Sequence, residues 1–331
     1  MIKWGILGLG NMAQQFSNAI LETSNAKLIA VASLNSNRLN NFAKLNKIDN
    51  KYKFNNYESI LNCNDINALY ISTLNNSHAE LTIKAAQASK HILCEKPMAI
   101  KYEDVIKVFK QLKKSKVFFF EALAYSLHPQ INSIISVIKS GEIGKIEKIK
   151  SYFGFRLRKI KLDHRLFNKK LGGGAILDLG CYPISFCNII NNINSEENNE
   201  IPKISNIKGS ICSTGVDEFA TAEINYKNGI YAEVGVGIRL NMNNTTEIFG
   251  SKGKIKIDQF WLPNKKSYFE IQLNDRSYKK FTTCSKSIYA NQIELVSKHI
   301  KNNMIETEYP GISWKNSSIN MNLIDKWKNN L

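Results

Sequence analysis

The chain has 331 residues, of which 43% are hydrophobic, and its formal net charge is +17. This hydrophobic share excludes a disordered chain, and the length favours two domains. The sequence has no apolar run of about 18 residues, which argues against a membrane span. The lysines are dispersed, so we expect no nucleic-acid partner, although the positive field would help to collect anionic ligands. Six scattered cysteines without a C-x-x-C pair predict reduced thiols and no metal. The chain opens on a strand-like segment in place of a secretion signal, which predicts a cytoplasmic protein.

Up to about residue 122, short strands alternate with helices. Strand-like runs are predicted at 2–8, 27–33, 68–72, 91–94 and 117–120. Helical spacing is predicted at 11–23, 38–45, 57–61, 78–89 and 102–115. Strands that alternate with helices of this length imply right-handed crossovers and a parallel sheet. We therefore expect an α/β domain over residues 1–122.

Beyond residue 122 the pattern changes. The predicted elements are a helix at 129–140, a strand at 144–156, a polar loop at 192–200, strand-like segments between 204 and 273, and helices at 288–302 and 315–329. Turn signals at 226–229 and 250–253 separate successive strands, which is typical of a mainly antiparallel sheet. We therefore expect a second, α+β domain over residues 123–331.

The segment Gly8-Leu9-Gly10-Asn11-Met12-Ala13 is a glycine-rich turn between the first strand and the first helix. Gly8 permits a tight turn, Gly10 lets the backbone approach a pyrophosphate, and Ala13 allows the helix to pack closely on the sheet. Asn11 and Met12 open the helix, whose N-terminal N–H groups favour phosphate. The pattern predicts a dinucleotide site, and the alternative is an ordinary glycine turn.

The residues after the second strand indicate which dinucleotide is preferred. An acidic residue there would hold the ribose 2′-hydroxyl of NAD, but the run from Ser33 to Arg38 contains no Asp or Glu. The Ser33 hydroxyl and the Arg38 cation suit a 2′-phosphate, so NADP is predicted, with NAD possible. The alternative is that Arg38 is a solvated first-turn residue and the site accepts either cofactor.

Two further segments follow strands at the carboxyl edge of the sheet, where ligands of such folds bind. The first contains Thr73, Asn75 and His78, which we place in the cofactor site, with a structural first-turn role as the alternative for His78. The second contains Glu95 and Lys96, which we also place in the cofactor site, followed by a proline that stiffens the turn. Lys96 could bind the substrate oxygen and assist proton transfer, and the alternative is a surface lysine.

Asp178 and Tyr182 are four residues apart, so they would share a face if one helix covered both. A tyrosine hydroxyl titrates near pH ~10, but a neighbouring lysine cation favours the phenolate and makes it a usable base or acid. The alternative is a capping aspartate and a buried tyrosine. Pro183 indicates a kink or a helix start at this point.

Together these motifs resemble the glucose–fructose oxidoreductase/inositol dehydrogenase/MocA family (Gfo/Idh/MocA). The resemblance covers nearly the whole chain and rests on the following residues: the glycine turn at 8–13, Thr73-x-Asn75-x-x-His78, Glu95-Lys96-Pro97, Glu121-Ala122, His128-Pro129, Gly173-Gly174-Ala175, Asp178, Tyr182 and Gly250-Ser-Lys-Gly253. It implies an N-terminal Rossmann domain and a C-terminal α/β domain with an open, mainly antiparallel sheet that is often used for dimerisation. Tyr182 is similar to the tyrosine of the dimeric dihydrodiol dehydrogenase branch, which mostly uses NADP, whereas Leu34 stands where NADP-preferring relatives often place an arginine.

The resulting hypothesis is an NAD(P)-dependent oxidoreductase acting on a sugar, polyol or cyclic diol. Tyr182 is the predicted acid/base, Lys96 the supporting cation and Asp178 the orienting residue. Arg156 and Arg165 are candidates for substrate or cofactor contact, with a structural role as the alternative. A homodimer or homotetramer through the C-terminal sheet is expected. The alternatives are a dinucleotide-binding sensor or scaffold without turnover, and a nucleotide-sugar dehydrogenase.

Overall fold

The computed structural model describes residues 1–193 and 201–331, so the loop predicted at 192–200 lies outside the described residues from position 194 onward. Elements are numbered along the chain. Up to residue 127 they are β1 (Ile2–Leu7), α1 (Asn11–Ala19), β2 (Ala26–Ala32), α2 (Ser36–Leu45), β3 (Lys53–Phe54), α3 (Tyr57–Leu61), β4 (Ala68–Ile71), α4 (His78–Gln87), β5 (His91–Cys94), α5 (Tyr102–Ser115) and β6 (Phe119–Glu121). From residue 128 they are α6 (Pro129–Lys139), β7 (Ile146–Gly154), α7 (Ala175–Leu179), α8 (Cys181–Asn191), β8 (Lys203–Ile211), β9 (Asp217–Asn225), β10 (Tyr231–Gly237), β11 (Thr246–Gly250), β12 (Gly253–Ile257), β13 (Lys266–Leu273), β14 (Tyr278–Cys284), α9 (Ile288–Lys301) and α10 (Trp314–Asn329).

The chain forms two compact units, each built from two stretches of sequence. Unit 1 comprises Met1–Leu127 and Lys286–Trp314, and unit 2 comprises His128–Ser285 and Lys315–Leu331. The domain division at residue 122 stays a prediction.

Unit 1 contains a parallel sheet whose strand order is β3-β2-β1-β4-β5-β6. Every residue of β4 is buried, as expected for a strand covered by helices on both faces. The predicted parallel Rossmann sheet is confirmed, although β3, which is two residues long, was not predicted. Reversal of strand order beside β1 places the carboxyl ends of β1 and β4 at the position where such folds bind ligands.

Helix α9 completes the core of unit 1 from the distant part of the sequence. It packs against α1 and β1. The indole N–H of Trp4 in β1 donates to the hydroxyl of Ser297 in α9 at 3.1 Å, and both residues are buried. Because an unpaired buried indole N–H is unfavourable, this bond fixes the position of α9 on the sheet.

Unit 2 contains a sheet with the strand order β14-β13-β12-β11-β7-β10-β9-β8. The pair β7 and β10 is parallel, and the other pairs are antiparallel, so the predicted mainly antiparallel sheet is confirmed. Helix α8 packs against β7 and β10, and α7 packs against β9 and β10. Strands β7 and β9 alternate between buried and less buried residues, which is the pattern of a sheet covered on one face.

Within the described part of the chain, no single helix is long and apolar enough to cross a membrane. A pair of segments, Lys169–Leu179 and Cys181–Asn191, reaches that length and composition together but is bent by 42°. The residues of α7 and nearly all those of α8 are buried in unit 2.

Candidate active site

The glycine turn has the geometry that the sequence predicted. Gly8 has φ +84°, and a Cβ there would lie 2.8 Å from Cγ2 of Thr73, so a larger residue would be both strained and obstructed. At Gly10 an added Cβ would meet no heavy atom within 4 Å. Helix α1 begins at Asn11 without a side-chain cap at Gly10, and Ala13 is fully buried against the sheet. The open space at Gly10 and the uncapped N–H groups fit a dinucleotide pyrophosphate.

The residues predicted to select the cofactor differ in exposure. Ser33 is buried, and its hydroxyl accepts the N–H of Asn35 at 3.2 Å. The Asn35 side chain caps α2 by accepting the N–H of Arg38 at 2.9 Å. The Arg38 side chain is exposed, and its charge acts on Tyr57, whose pKa is raised by burial and lowered by this cation. Arg38 can therefore reach an anion in solution, while the Ser33 hydroxyl also stabilises the turn.

His78 connects the loops that follow β4 and β5. Its side chain is buried, with Nδ1 2.8 Å from the carbonyl oxygen of Pro97 and Nε2 3.1 Å from that of Thr73. A neutral imidazole can donate to only one of these oxygens at a time. Thr73 Oγ1 also lies 2.7 Å from the Ser77 hydroxyl, and Asn75 is buried in the same loop. The predicted residues Thr73, Asn75 and His78 are thus brought together, and the position of His78 ties this loop to the loop that carries Lys96.

Glu95 and Lys96 lie in a cluster that includes two tyrosines not identified from the sequence. Glu95 is buried and accepts a short hydrogen bond from the hydroxyl of Tyr70. Burial, followed by the charge of Glu95, raises the pKa of Tyr70 well above its usual value. Tyr289 of α9 lies near the same charges: burial and Glu95 raise its pKa, and Lys96 lowers it. Lys96 itself is half-buried, and its peptide bond to Pro97 is cis. Neither tyrosine could be identified from the sequence, because Tyr70 lies within an apolar strand and Tyr289 lies in the first turn of a helix, where tyrosines are common.

In unit 2, Asp178 is held by an ion pair and by the start of its helix. Its carboxylate lies 2.9 Å from Nη1 of Arg165, and Asp178 is buried while Arg165 is partly exposed. The predicted residues Asp178 and Arg165 are therefore brought together, with Arg165 neutralising a buried carboxylate. Such a pairing is needed because an unpaired buried charge is costly.

Asp217, which was not identified from the sequence, fixes the first turn of α7. Its buried carboxylate accepts the N–H of Ile176 at 2.6 Å. A Cβ on Gly174 would lie 2.3 Å from Asp217 Oδ1, and the φ of Gly174 is +110°, so glycine is required for this approach. Burial raises the pKa of Asp217, while the hydrogen bond from Ile176 lowers it. No local pattern distinguishes this aspartate from the surface acids of a strand.

Tyr182 lies in the first turn of α8 among aromatic rings. Its ring is edge-on to those of Phe153, at 5.0 Å between centroids, and Trp261, at 5.7 Å. The helix break that Pro183 indicated occurs at Gly180, between α7 and α8, and Pro183 lies in the first turn of α8, where its missing N–H costs no helical bond. Tyr182 is half-buried, so its ring is fixed while part of it remains accessible.

Arg156 follows the end of β7 and is exposed. It forms an isolated backbone bridge with Arg239, which follows β10. Among the described residues, no group of three or more His, Cys, Asp or Glu side chains is arranged to hold a metal ion.

Comparisons with known proteins agree with this architecture. Residues 2–123 match the family described as an oxidoreductase family with an NAD-binding Rossmann fold, and residues 131–256 match the GFO/IDH/MocA C-terminal domain. A trans-1,2-dihydrobenzene-1,2-diol dehydrogenase from Xenopus tropicalis is 30% identical over 264 residues, which cover 79% of this chain and 77% of that protein. The enzyme of the same name from Mus musculus is 29% identical over 266 residues, which cover 80% and 77%.

Two crystal structures share the fold over almost the full length. An aldose-aldose oxidoreductase from Caulobacter crescentus, complexed with glycerol, superposes with a TM-score of 0.88 at 20% identity and covers 99% of this chain and 96% of its own. A 3-ketoreductase from Actinomadura kijaniata, complexed with NADP and TDP-benzene, has a TM-score of 0.86 at 20% identity and covers 98% and 96%.

Proposed function

The chain belongs to the Gfo/Idh/MocA family of oxidoreductases, as the sequence predicted, and on this premise we propose that it oxidises or reduces a CH–OH group of a sugar, polyol or cyclic diol. One observation carries the proposal. The glycine turn, the loop of Thr73 and the loop of Lys96 are joined at one edge of the parallel sheet by packing against Gly8 and by the two contacts of His78. Ligands of such sheets bind at this edge.

We assign NADP as the preferred cofactor, with NAD as the alternative. The dinucleotide, when bound, supplies the hydride acceptor or donor. The residues of the glycine turn would hold its pyrophosphate, and the exposed Arg38 would bind a 2′-phosphate. The absence of an acid between Ser33 and Arg38 supports this preference, and the similar 3-ketoreductase fold was crystallised with NADP.

Tyr182 is the proposed general acid/base for the substrate hydroxyl. Its half-buried ring, held edge-on by Phe153 and Trp261, supports the assignment because a fixed phenol can be oriented toward a reacting oxygen. Lys96 would bind that oxygen and favour the phenolate. Asp178, paired with Arg165, would keep the chain before Tyr182 in place. The diol and sugar classes are proposed because relatives are named for diols and aldoses.

Self-association through the sheet of unit 2 is also proposed. Its strands carry ion pairs such as Lys148–Glu233 and Lys254–Glu247. The side chains of these pairs are half-buried, so the charged surface of the sheet is already partly removed from water. Light scattering on the full chain would measure the mass, and a monomer at micromolar concentration would contradict this part.

The test of the activity uses NADP and NAD with a panel of sugars, polyols and trans-diols. Tyr182→Phe should lower kcat by about 10²-fold or more while NADPH binding, followed by nicotinamide fluorescence, is retained. Lys96→Met should be at least as damaging. Tyr231→Phe and Lys101→Met are matched controls at positions outside the proposed machinery. Near-normal turnover by Tyr182→Phe would rule out its assignment, and failure of the folded wild type to bind either dinucleotide would rule out the enzyme.

A further inference from the structure

A short basic segment, residues 156–161, follows strand β7 in unit 2. It contains four exposed cations, Arg156, Arg158, Lys159 and Lys161, within six residues. The apolar residues between them, Leu157 and Ile160, are half-buried. The segment therefore rests on the unit through its apolar side chains and presents its cations outward.

The cations of the basic segment differ from those of the neighbouring sheet. Among the described residues, none of the four has an ion-pair partner, although Asp163 lies only two positions after the segment. In the same unit Lys148 pairs with Glu233 and Lys279 pairs with Glu142. Four neighbouring cations that are not paired with a carboxylate repel one another, and a bound anion would offset this repulsion.

Arg156 also lies opposite a second arginine in the backbone pairing of the sheet. Its backbone bridge partner on the neighbouring chain segment is Arg239, and like charges directly opposite each other in a sheet are unfavourable. Glu218 accepts one hydrogen bond from Nη1 of Arg239 at 3.0 Å. The buried Nε of Arg239 has no acceptor within the described parts of the chain. The two arginines therefore have N–H donors left to bind an anion. Arginine commonly binds phosphate and carboxylate with two parallel N–H donors.

Both ends of the segment are tied to residues of the proposed chemistry. Three residues before Arg156, the ring of Phe153 contacts the ring of Tyr182. Four residues after Lys161, Arg165 pairs with Asp178. A chain spans at most about 3.3–3.6 Å per residue, so Arg156 lies no more than about 11 Å along the chain from Phe153, whose ring contacts Tyr182.

We propose that the basic segment binds an oxoanion, a phosphate or a carboxylate, carried by the substrate. This inference rests on the proposed function and narrows its substrate class to anionic sugars or diols. The segment recognises the charged group away from the reacting carbon, and so orients the hydroxyl toward Tyr182. Arginine and lysine at the surface also make such binding dependent on salt.

The first experiment titrates inorganic pyrophosphate into the full chain saturated with NADPH, so that the glycine turn is not available to the probe. Binding is measured by calorimetry at low ionic strength. The segment variant carries Arg156→Gln, Arg158→Gln and Lys159→Gln. The control variant carries Lys110→Gln, Lys113→Gln and Lys114→Gln, which remove three exposed cations of α5 and lower the net charge equally. We expect affinity to fall about tenfold or more in the segment variant and less than about twofold in the control. Equal losses in both would assign the binding to the general field and overturn the proposal.

The second experiment compares kcat/KM for matched pairs: glucose with glucose 6-phosphate, and glucose with glucuronate. A preference for the phosphate or the uronate that disappears in the segment variant, but not in the control, supports the proposal and identifies which oxoanion is bound. A preference for the neutral sugar overturns it and leaves the proposed function intact. If no compound in the wider panel is turned over, the proposed function fails, and the pyrophosphate titration alone decides whether the segment is an anion site.

Discussion

Replacing Asp217 should loosen the helix start that positions Asp178. In the folded chain the buried Asp217 carboxylate accepts the N–H of Ile176 at 2.6 Å. Asp217→Ala would leave this N–H group of the first turn of α7 without its acceptor. Such a loss costs about 1–3 kcal/mol, so the free energy of unfolding should fall by about that amount. Asp217→Asn keeps one acceptor oxygen and should cost less, about 1 kcal/mol.

The assay is urea unfolding of the full chain followed by tryptophan fluorescence. Glu223→Ala is the matched control, because Glu223 is an acid on the same strand that is half-buried and bonds to the Asn206 side chain. Its removal should cost less than about 1 kcal/mol. If Asp217→Ala were no more destabilising than Glu223→Ala, the argument that Asp217 holds α7 would be wrong.

Substitution of Asp217 should also change how stability depends on pH. Burial raises the pKa of Asp217 above its usual value of 3.8. Just above pH 3.8 the folded protein therefore binds more protons at this group than the unfolded chain does, and its contribution to stability falls as the pH rises through that interval. The difference in stability between wild type and Asp217→Asn should be larger at pH 4 than at pH 7. A constant difference across this range would contradict the assignment of Asp217 as the titrating group.

Three further predictions concern other parts of the molecule. Gly10→Ala should have the melting temperature of the wild type, because an added Cβ meets nothing within 4 Å, but it should bind NADPH at least about tenfold more weakly. Gly8→Ala, at φ +84°, should also lose about 1–3 kcal/mol of stability. Equal NADPH affinity of Gly10→Ala and wild type would refute the cofactor placement. Tyr70→Phe removes a donor from the buried Glu95 and should cost about 1–3 kcal/mol in urea unfolding, a loss that Glu95→Gln should partly restore. Burial lowers the pKa of His128 from 6.5 to about 4, so this residue's contribution to stability is present above pH 6.5 and is lost as the pH falls toward 4; His128→Asn should flatten that part of the stability curve measured by thermal melting.

Local patterns predicted much of unit 1. The strands β1, β2, β4, β5 and β6 each carry a short apolar run, and the glycine turn depends on backbone geometry that only certain residues adopt. Strand β3 was not predicted, because a strand of two residues is too short to show a periodic pattern of apolar residues. Helix α9 was predicted as a helix at 288–302, but its spacing contains no information about the strand on which it packs.

The candidate site could be outlined less completely from the sequence, because the contacts that support it are long-range. Lys96, Asp178 and Tyr182 could be singled out from short motifs, and Pro183 indicated the helix break. Asp217 could not, since its function depends on an approach to Gly174 that is more than forty positions away in the chain. The ring packing around Tyr182 likewise joins strand β7 to residues near Trp261. A one-dimensional pattern does not specify such pairings.

The bond between Trp4 and Ser297 has a consequence for biosynthesis. Trp4 belongs to β1, which leaves the ribosome before the other elements of unit 1 and unit 2, but the hydroxyl that accepts its indole N–H is synthesised after every strand of the unit 2 sheet. During translation the surface of α1 and β1 that α9 covers must therefore stay exposed while more than a hundred further residues emerge. Domains that fold early and depend on late segments are prone to aggregate in this interval. The nascent chain should need a holding chaperone until α9 is released, and a gene truncated before α9 should yield insoluble protein.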